Sequence, residues 1–479
     1  MKKALASALC LLLVILTVVS CAKPAAGPEE TLPPDSKSEE TEKRITSDLP
    51  DMKFDGRTFG IAHWYVNGWT IHGTDLYAEE QTGDPICDAV YARNARISEQ
   101  YDVTFEYEEL DHADFVGKIR VAVSTNDDPF DLLCIRMADT TNIMMEGNLL
   151  EYGNLTYVDL DKPYWDQSVK ECFSFGGNTF MMTSDTTIND KNGTSGVVFN
   201  KVLAQDLKLP DLYKEVRDGT WTQEELIRLI NSYDADKNGD GELKIEDDVL
   251  GMVGQTDVVM SFFMGGGGRF TSRDAADYPV LDFNTEDNID ILYLVFDLVD
   301  DEHFAATGNV DDVILGGHSI FSWIRIENVV RMRGMEGDDF GVLPTPKYNE
   351  YQENYLSLLS VHGSTAQAAL FTETDPEFVS FMMEALAAGS HYDLHKAYYD
   401  VTLKTKSARD DESQEMLDII FAHRVLDIAD LCAFGTFPGY VMGMPFGGGD
   451  RNIASAYAKY ESKMQSDIDD FCEKLDKML

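Results

Sequence analysis

The densest run of possible ligand atoms in the chain lies at residues 236–247, where Asp236, Asn238 and Asp240 alternate with other residues ahead of Gly241, Glu242 and Asp247. A hard cation such as calcium takes roughly six to eight oxygens at about 2.3–2.6 Å. This spacing wraps three side-chain oxygens, the backbone carbonyl of Glu242 and a closing Asp247 carboxylate around one point. Gly241 takes the sharp turn and Leu243 supplies an apolar anchor. A register starting at Asp234 would put Ile245, which has no side-chain oxygen, in the closing place, so the physical roles select the Asp236 start. A solvated acidic turn accounts for the same composition without an ion. Closure by Asp247 instead of a longer Glu, with Lys244 where an oxygen is usual, predicts modest affinity. No long amphipathic helix leaves the loop and no second copy follows, so bound calcium is expected to act as a structural staple.

Catalytic constellations are harder to find. Gly317-His318-Ser319-Ile320-Phe321 has the outline of a nucleophile elbow, but Phe321 stands where the sharp turn needs a second glycine. There is no zinc-protease His-Glu-x-x-His run. With 85 Asp and Glu residues, pairs of carboxylates at glycosidase spacing arise by chance. Seven cysteines stand far apart, with no metal or redox spacing; five remain after Cys10 and Cys21, and they read as buried apolar side chains.

The elements that must position these residues are legible. Thr222 and Glu225 form a capping box and Trp221 can staple onto Leu226, so a helix should start there and run to about Tyr233. Gly251 to Gly254 then looks extended. Upstream, Thr58 to His63 reads as a strand. Ile86, Val90, Ile97 and Tyr101 recur at helical spacing, Val103, Phe105 and Tyr107 alternate as a second strand, and Phe130 to Ile135 is a short apolar third. This βαβ order predicts a largely parallel sheet with helices on its faces, with ligands at the carboxyl ends of its strands. Trp64, Arg136 and Asp185 each follow an expected strand and are therefore site candidates, as well as candidates for ordinary loop or core-edge positions. The glycine runs at 265–268 and 447–449 read as exposed connections without a phosphate-loop signature.

Charge narrows the partners. The formal net charge of −46 repels nucleic acid and anionic lipid alike. An 11 % aromatic content nevertheless supports a real core, and the length suggests two or three domains. Lys2 and Lys3, the apolar Ala4 to Val19 and the small residues before Cys21 read as an export signal too short to span a bilayer comfortably. Val18-Val19-Ser20-Cys21 resembles a bacterial lipobox, in which the cysteine is acylated and becomes the new N-terminus. The Pro-, Glu- and Ser-rich stretch 22–50 has almost no large apolar residues and is expected to be a disordered tether of roughly 30 Å reach.

A wider resemblance covers residues 51–479. Phe340 to Tyr348, Tyr398-Tyr399 with Leu403, Lys404 and Lys406, Arg409-Asp410, Ser413 and Met416 to Asp418 resemble extracellular solute-binding lipoproteins of ABC importers, of the family 1 sugar-binding type found in Firmicutes. Val197 to Lys201, the Gly219 to Thr222 helix start and the calcium loop resemble the same family. The resemblance implies an α/β periplasmic-binding-protein-like fold of two lobes joined by crossing strands. Lobe 1 would hold 51–196 and 356–400. Lobe 2 would hold 197–355 and 401–479, with crossings shortly before Val197 and near Tyr355 to Val361. It also implies a monomer tethered on the extracellular face of the membrane, which passes a carbohydrate to permease subunits. A sugar offers an apolar face and a hydroxyl rim, so flat aromatics and polar groups should line the cleft. Trp323, at the place of the family's stacking tryptophan, is the first candidate, with core packing as the competing role. Trp64 and Tyr440 are further stacking candidates, and Asp185 and Arg136 candidates for hydroxyls. A calcium-containing surface glycoside hydrolase and a glycan-adhesion lipoprotein are the alternatives.

Overall fold

The computed structural model describes residues 47–66, 75–332, 334–399, 403, 411–447 and 451–479. The export signal, Cys21 and most of the expected tether lie outside them. The alternating apolar pattern after Pro50 produces β1 (Arg57–Tyr65), α1 (Pro85–Tyr101), β2 (Val103–Asp111), α2 (His112–Thr125), β3 (Leu132–Arg136) and α3 (Met137–Met145). Helix α1 starts where Pro85 supplies a preset φ and the Asp84 carboxylate accepts the N–H groups of Ile86 and Cys87. Strand β1 pairs in parallel with both β2 and β3. The fourth strand of this sheet comes from far downstream: residues Thr365–Ala368 lie antiparallel to β3.

A second sheet begins with β4 (Ser195–Asn200), all six residues of which are buried. A strand covered on both faces needs no polar alternation, which is why Val197-Val198-Phe199 is a continuous apolar run. After helix α4 (Gln223–Ile230) come β5 (Leu250–Gly254), α5 (Val258–Gly265), α6 (Glu286–Asp300), β6 (Phe304–Ala306), β7 (Ser319–Arg325) and β8 (Phe340–Leu343). The strand order is β6-β5-β7-β4-β8, parallel on the β6-β5-β7 side and antiparallel where β4 joins β7 and β8. Thr222 caps α4 as its sequence predicts, its hydroxyl accepting the Glu225 N–H.

Three segments connect the sheets side by side. Thr194 bridges Leu359, Ser360 N–H donates to the Gly193 carbonyl at 3.1 Å, and Ser357–Leu358 pairs with Arg424–Val425. Thr46–Leu479, which contains both sheets, is one compact unit. Helix α7 (Pro376–Ser390) covers the first sheet, with Phe378 and Phe381 against Phe54. Beyond it, α8 (Asp411–Ala422) packs on β8, with the Ser413 hydroxyl accepting the Val342 N–H. The remaining C-terminal residues touch both halves of the fold. The Leu431 carbonyl accepts a hydrogen bond from Thr141 of α3, while Phe437 and Tyr457 pack on Phe283.

The glycines at 265–268 correct a sequence expectation. Gly265, Gly266 and Gly268 are buried at the end of α5, where a methyl on Gly266 would come to 3.0 Å of Ile291 and one on Gly268 would strike the Phe263 ring. Close packing, and not loop freedom, requires glycine there. Among the five described cysteines Cys134 is buried and the others are half-buried; all are free thiols. No helix among the described residues is long and apolar enough to cross a membrane.

Candidate functional site

A narrow cleft with a cavity volume of about 60 Å³, partly open to solvent, lies where the crossing segments meet β7 and the C-terminal helices. Trp323 forms part of its wall. Strand β7 is central in its sheet, with Trp323 opposite Val197, and the ring is 3 % exposed. The close approach of β5 depends on Gly254, whose added Cβ would stand 3.3 Å from the Trp323 Cβ. The Trp323 indole N–H has no hydrogen-bond partner among the described residues. A buried N–H left unpaired costs about 1–3 kcal/mol, so an acceptor that reached this donor would supply a partner that the described residues do not.

Charged groups line the same cleft. Arg325 lines the cleft and is held by Glu327 at 2.6 Å. Arg136 is bidentate to Asp139, both bonds 2.7 Å, and acts electrostatically on His362, another lining residue. Partly buried Asp430 faces the same space; loss of water, reinforced by the carboxylates of Asp427 and Asp257, pushes its carboxyl from 3.8 up to about 7.

The other candidates are placed elsewhere. Trp64 is fully buried in the first lobe, its N–H donating to the Thr365 hydroxyl at 2.9 Å, so it presents no free face or donor. Tyr440 sits on the helix Phe437–Gly443 that contributes Pro438, Gly439 and Met442 to the cleft, but its own ring packs on Tyr460 at 4.8 Å. Asp185 lines a different cavity, of about 270 Å³, and its carboxylate is already engaged. Lys191 Nζ lies 3.2 Å from one oxygen, and His391 Nδ1 and His395 Nδ1 lie 2.6 and 3.4 Å from the other. Burial alone would raise this carboxyl, but Lys191 and the two histidines hold it well below the usual carboxylate range. Sequence reasoning missed His391 and His395, although their spacing of four puts both on one side of a helical turn.

At the acidic loop, Asp236 accepts the N–H groups of Gly239 and Gly241, and Asn238 and Asp240 accept those of Asp240 and Glu242. Gly241 takes φ +81°, the left-handed turn that glycine permits. The hard oxygen donors fit calcium in kind. Asp247 is exposed, whereas the next residue, Asp248, is buried and accepts the Lys237 and Lys244 N–H groups at 2.8 and 2.9 Å.

No family model matches the sequence, and no curated protein matches it either. Solved structures do match across nearly the whole fold. The sugar-binding protein MalE of Xanthomonas citri aligns at 12 % identity and TM-score 0.58, covering 88 % of this chain and 98 % of that one. A cyclo/maltodextrin-binding protein in complex with maltotetraose aligns at 11 % and 0.55, covering 89 % and 98 %. The ABC substrate-binding protein Lmo0181 of Listeria monocytogenes, in complex with cycloalternan, aligns at 12 % and 0.52, covering 88 % and 99 %. The chain therefore has the periplasmic-binding-protein-like fold, two α/β lobes with a cleft at the crossing segments.

Proposed function

We propose that this protein is the extracellular solute-binding component of an ABC importer, that its ligand is an oligosaccharide, and that it works without chemical conversion of that ligand. The observation that carries the reading is the unpartnered, buried Trp323 N–H in the wall of the cleft at the lobe junction. An aromatic edge with a free donor, flanked by Arg325, Asp257 and Asp430, suits a ligand with apolar C–H faces and a rim of hydroxyls. The similar fold of proteins solved with maltotetraose and cycloalternan supports the same class. Arg136, beside the cleft, is proposed to meet ligand oxygens by exchanging part of its contact with Asp139. In this reading the lobes close over the sugar as a hinge motion at the crossing segments. The chain acts as a monomer, tethered to the outer membrane face through an acylated Cys21, and delivers its cargo to permease subunits. Calcium bound at Asp236, Asn238, Asp240, Glu242 and Asp247 staples the link between α4 and β5.

Calorimetric titration with linear and cyclic α-glucan oligosaccharides tests the reading. Micromolar or tighter binding, with the oligosaccharide recovered intact, supports it. Absence of binding across a broad glycan panel rejects the ligand class, and steady conversion of the sugar rejects the transport role.

A further inference from the structure

We infer that Asp185, His391 and His395 form a binding site for one first-row divalent transition-metal ion, with zinc as the reference case. The site is separate from both the sugar cleft and the acidic loop. Helix α7 ends at Ser390 and continues as a π-helical turn over His391–His395. Such turns are uncommon and cluster at functional sites, and this one points both imidazoles at a single oxygen, Asp185 Oδ2. The three possible ligand atoms lie within 4.8 Å of one another.

The donor set selects the ion. Two imidazole nitrogens and one carboxylate oxygen suit zinc and its neighbours, whereas calcium and magnesium prefer oxygen alone. Around tetrahedral zinc, ligand atoms stand roughly 3.3 Å apart, given bond lengths near 2.0–2.1 Å. His395 Nδ1 already meets this at 3.4 Å from Oδ2, His391, at 2.6 Å, would recede by the difference, and the two ring nitrogens, within 4.8 Å of each other, would settle to the same spacing. Neutral rings would bind through Nδ1 with the proton on Nε2, so the ion takes the place of the hydrogens now shared with Oδ2.

Lys191 does not occupy the metal position. It contacts the other oxygen, Oδ1, and its charge is answered by Asp190 at 3.1 Å. Lys191 thereby fixes the carboxylate with Oδ2 turned to the histidines, as groups that hold a metal's ligands in place do in metal proteins. Access is provided as well: Asp185 and His395 line the 270 Å³ cavity, and the histidine side chains are 23 % and 30 % exposed. An open fourth position would face this cavity. The ion would pin the end of α7 to the segment that leads into the first crossing.

The test uses the purified chain stripped with chelator and titrated with zinc chloride alone. One zinc should bind per chain with Kd of about 10 µM or tighter. The His391→Ala/His395→Ala double variant should lose at least about 30-fold, while Asp240→Ala in the acidic loop should leave zinc affinity within about threefold. X-ray absorption on the zinc-loaded unmutated chain should find two imidazoles around the metal, a readout that stands even if the double variant fails to fold. Equal titrations for the unmutated chain and a folded double variant would overturn the site, as would a shell of oxygens alone.

Discussion

Arg424 donates from Nη1 to Asp190 Oδ2 at 2.9 Å, joining two buried residues 234 positions apart in sequence. The same guanidinium also holds Asp166, and Asp190 holds Lys191, so a chain of alternating charge runs through the crossing region to Asp185. Burial costs Arg424 part of its hydration, yet Asp166 and Asp190 together raise its pKa. Arg424→Met should destabilise the protein by about 3–5 kcal/mol in denaturant melts, because it leaves buried carboxylates unpaired. A loss under 1 kcal/mol would mean that water reaches these groups.

Trp323 permits a clean separation of roles. If it stacks on sugar, Trp323→Ala should weaken the best glycan by roughly 30-fold or more, since a central tryptophan contributes about 2 kcal/mol or more. If its role is packing alone, the cavity should cost about 3–5 kcal/mol of stability and leave the affinity of the folded fraction unchanged. Melting and calorimetry on one sample decide between these outcomes.

Asp430 makes a pH-dependent prediction. Its folded-state pKa, about 7, lies above the ordinary 3.8, so the folded protein holds this proton more tightly than the unfolded chain does. The stabilisation is therefore full below pH 4 and is lost as pH rises through 7. Asp430→Asn, which removes the titration, should melt higher than the unmutated protein at pH 8, with a smaller gain at pH 5. An increment independent of pH would show that the carboxylate is already solvated.

The acidic loop distinguishes two adjacent carboxylates. Chelator should lower the melting temperature by mass action, and Asp240→Ala should remove the calcium response. Asp248→Ala should destabilise even the calcium-free protein, because two backbone N–H groups lose the acceptor that holds the loop together, whereas exposed Asp247→Ala should act only when calcium is present. Identical melts of the unmutated protein with and without calcium would remove the ion from this loop.

Anchoring is tested at Cys21. Cys21→Ser should yield released protein or an uncleaved precursor in cell fractions. A variant that is processed and stays on the membrane would overturn acylation there.

The sequence by itself determined what depends on near neighbours. The Thr222 cap, the β1-α1-β2 order, the buried run 197–199 and the Asp236-Asn238-Asp240 spacing are patterns of period two or four, enforced by backbone geometry within a few residues. Resemblance carried the two-lobe reading further than periodicity could. Only the tertiary structure decided which of many similar side chains meet. Nothing local distinguishes Trp64, whose N–H is satisfied by Thr365 from 301 positions away, from Trp323, whose N–H is left open. Nor does anything local show that Asp185, one of 85 acidic residues, meets His391 at a separation of 206. Such contacts depend on how the sheets and crossing segments pack, and their energies come from desolvation at positions that exist only once the chain has closed around them.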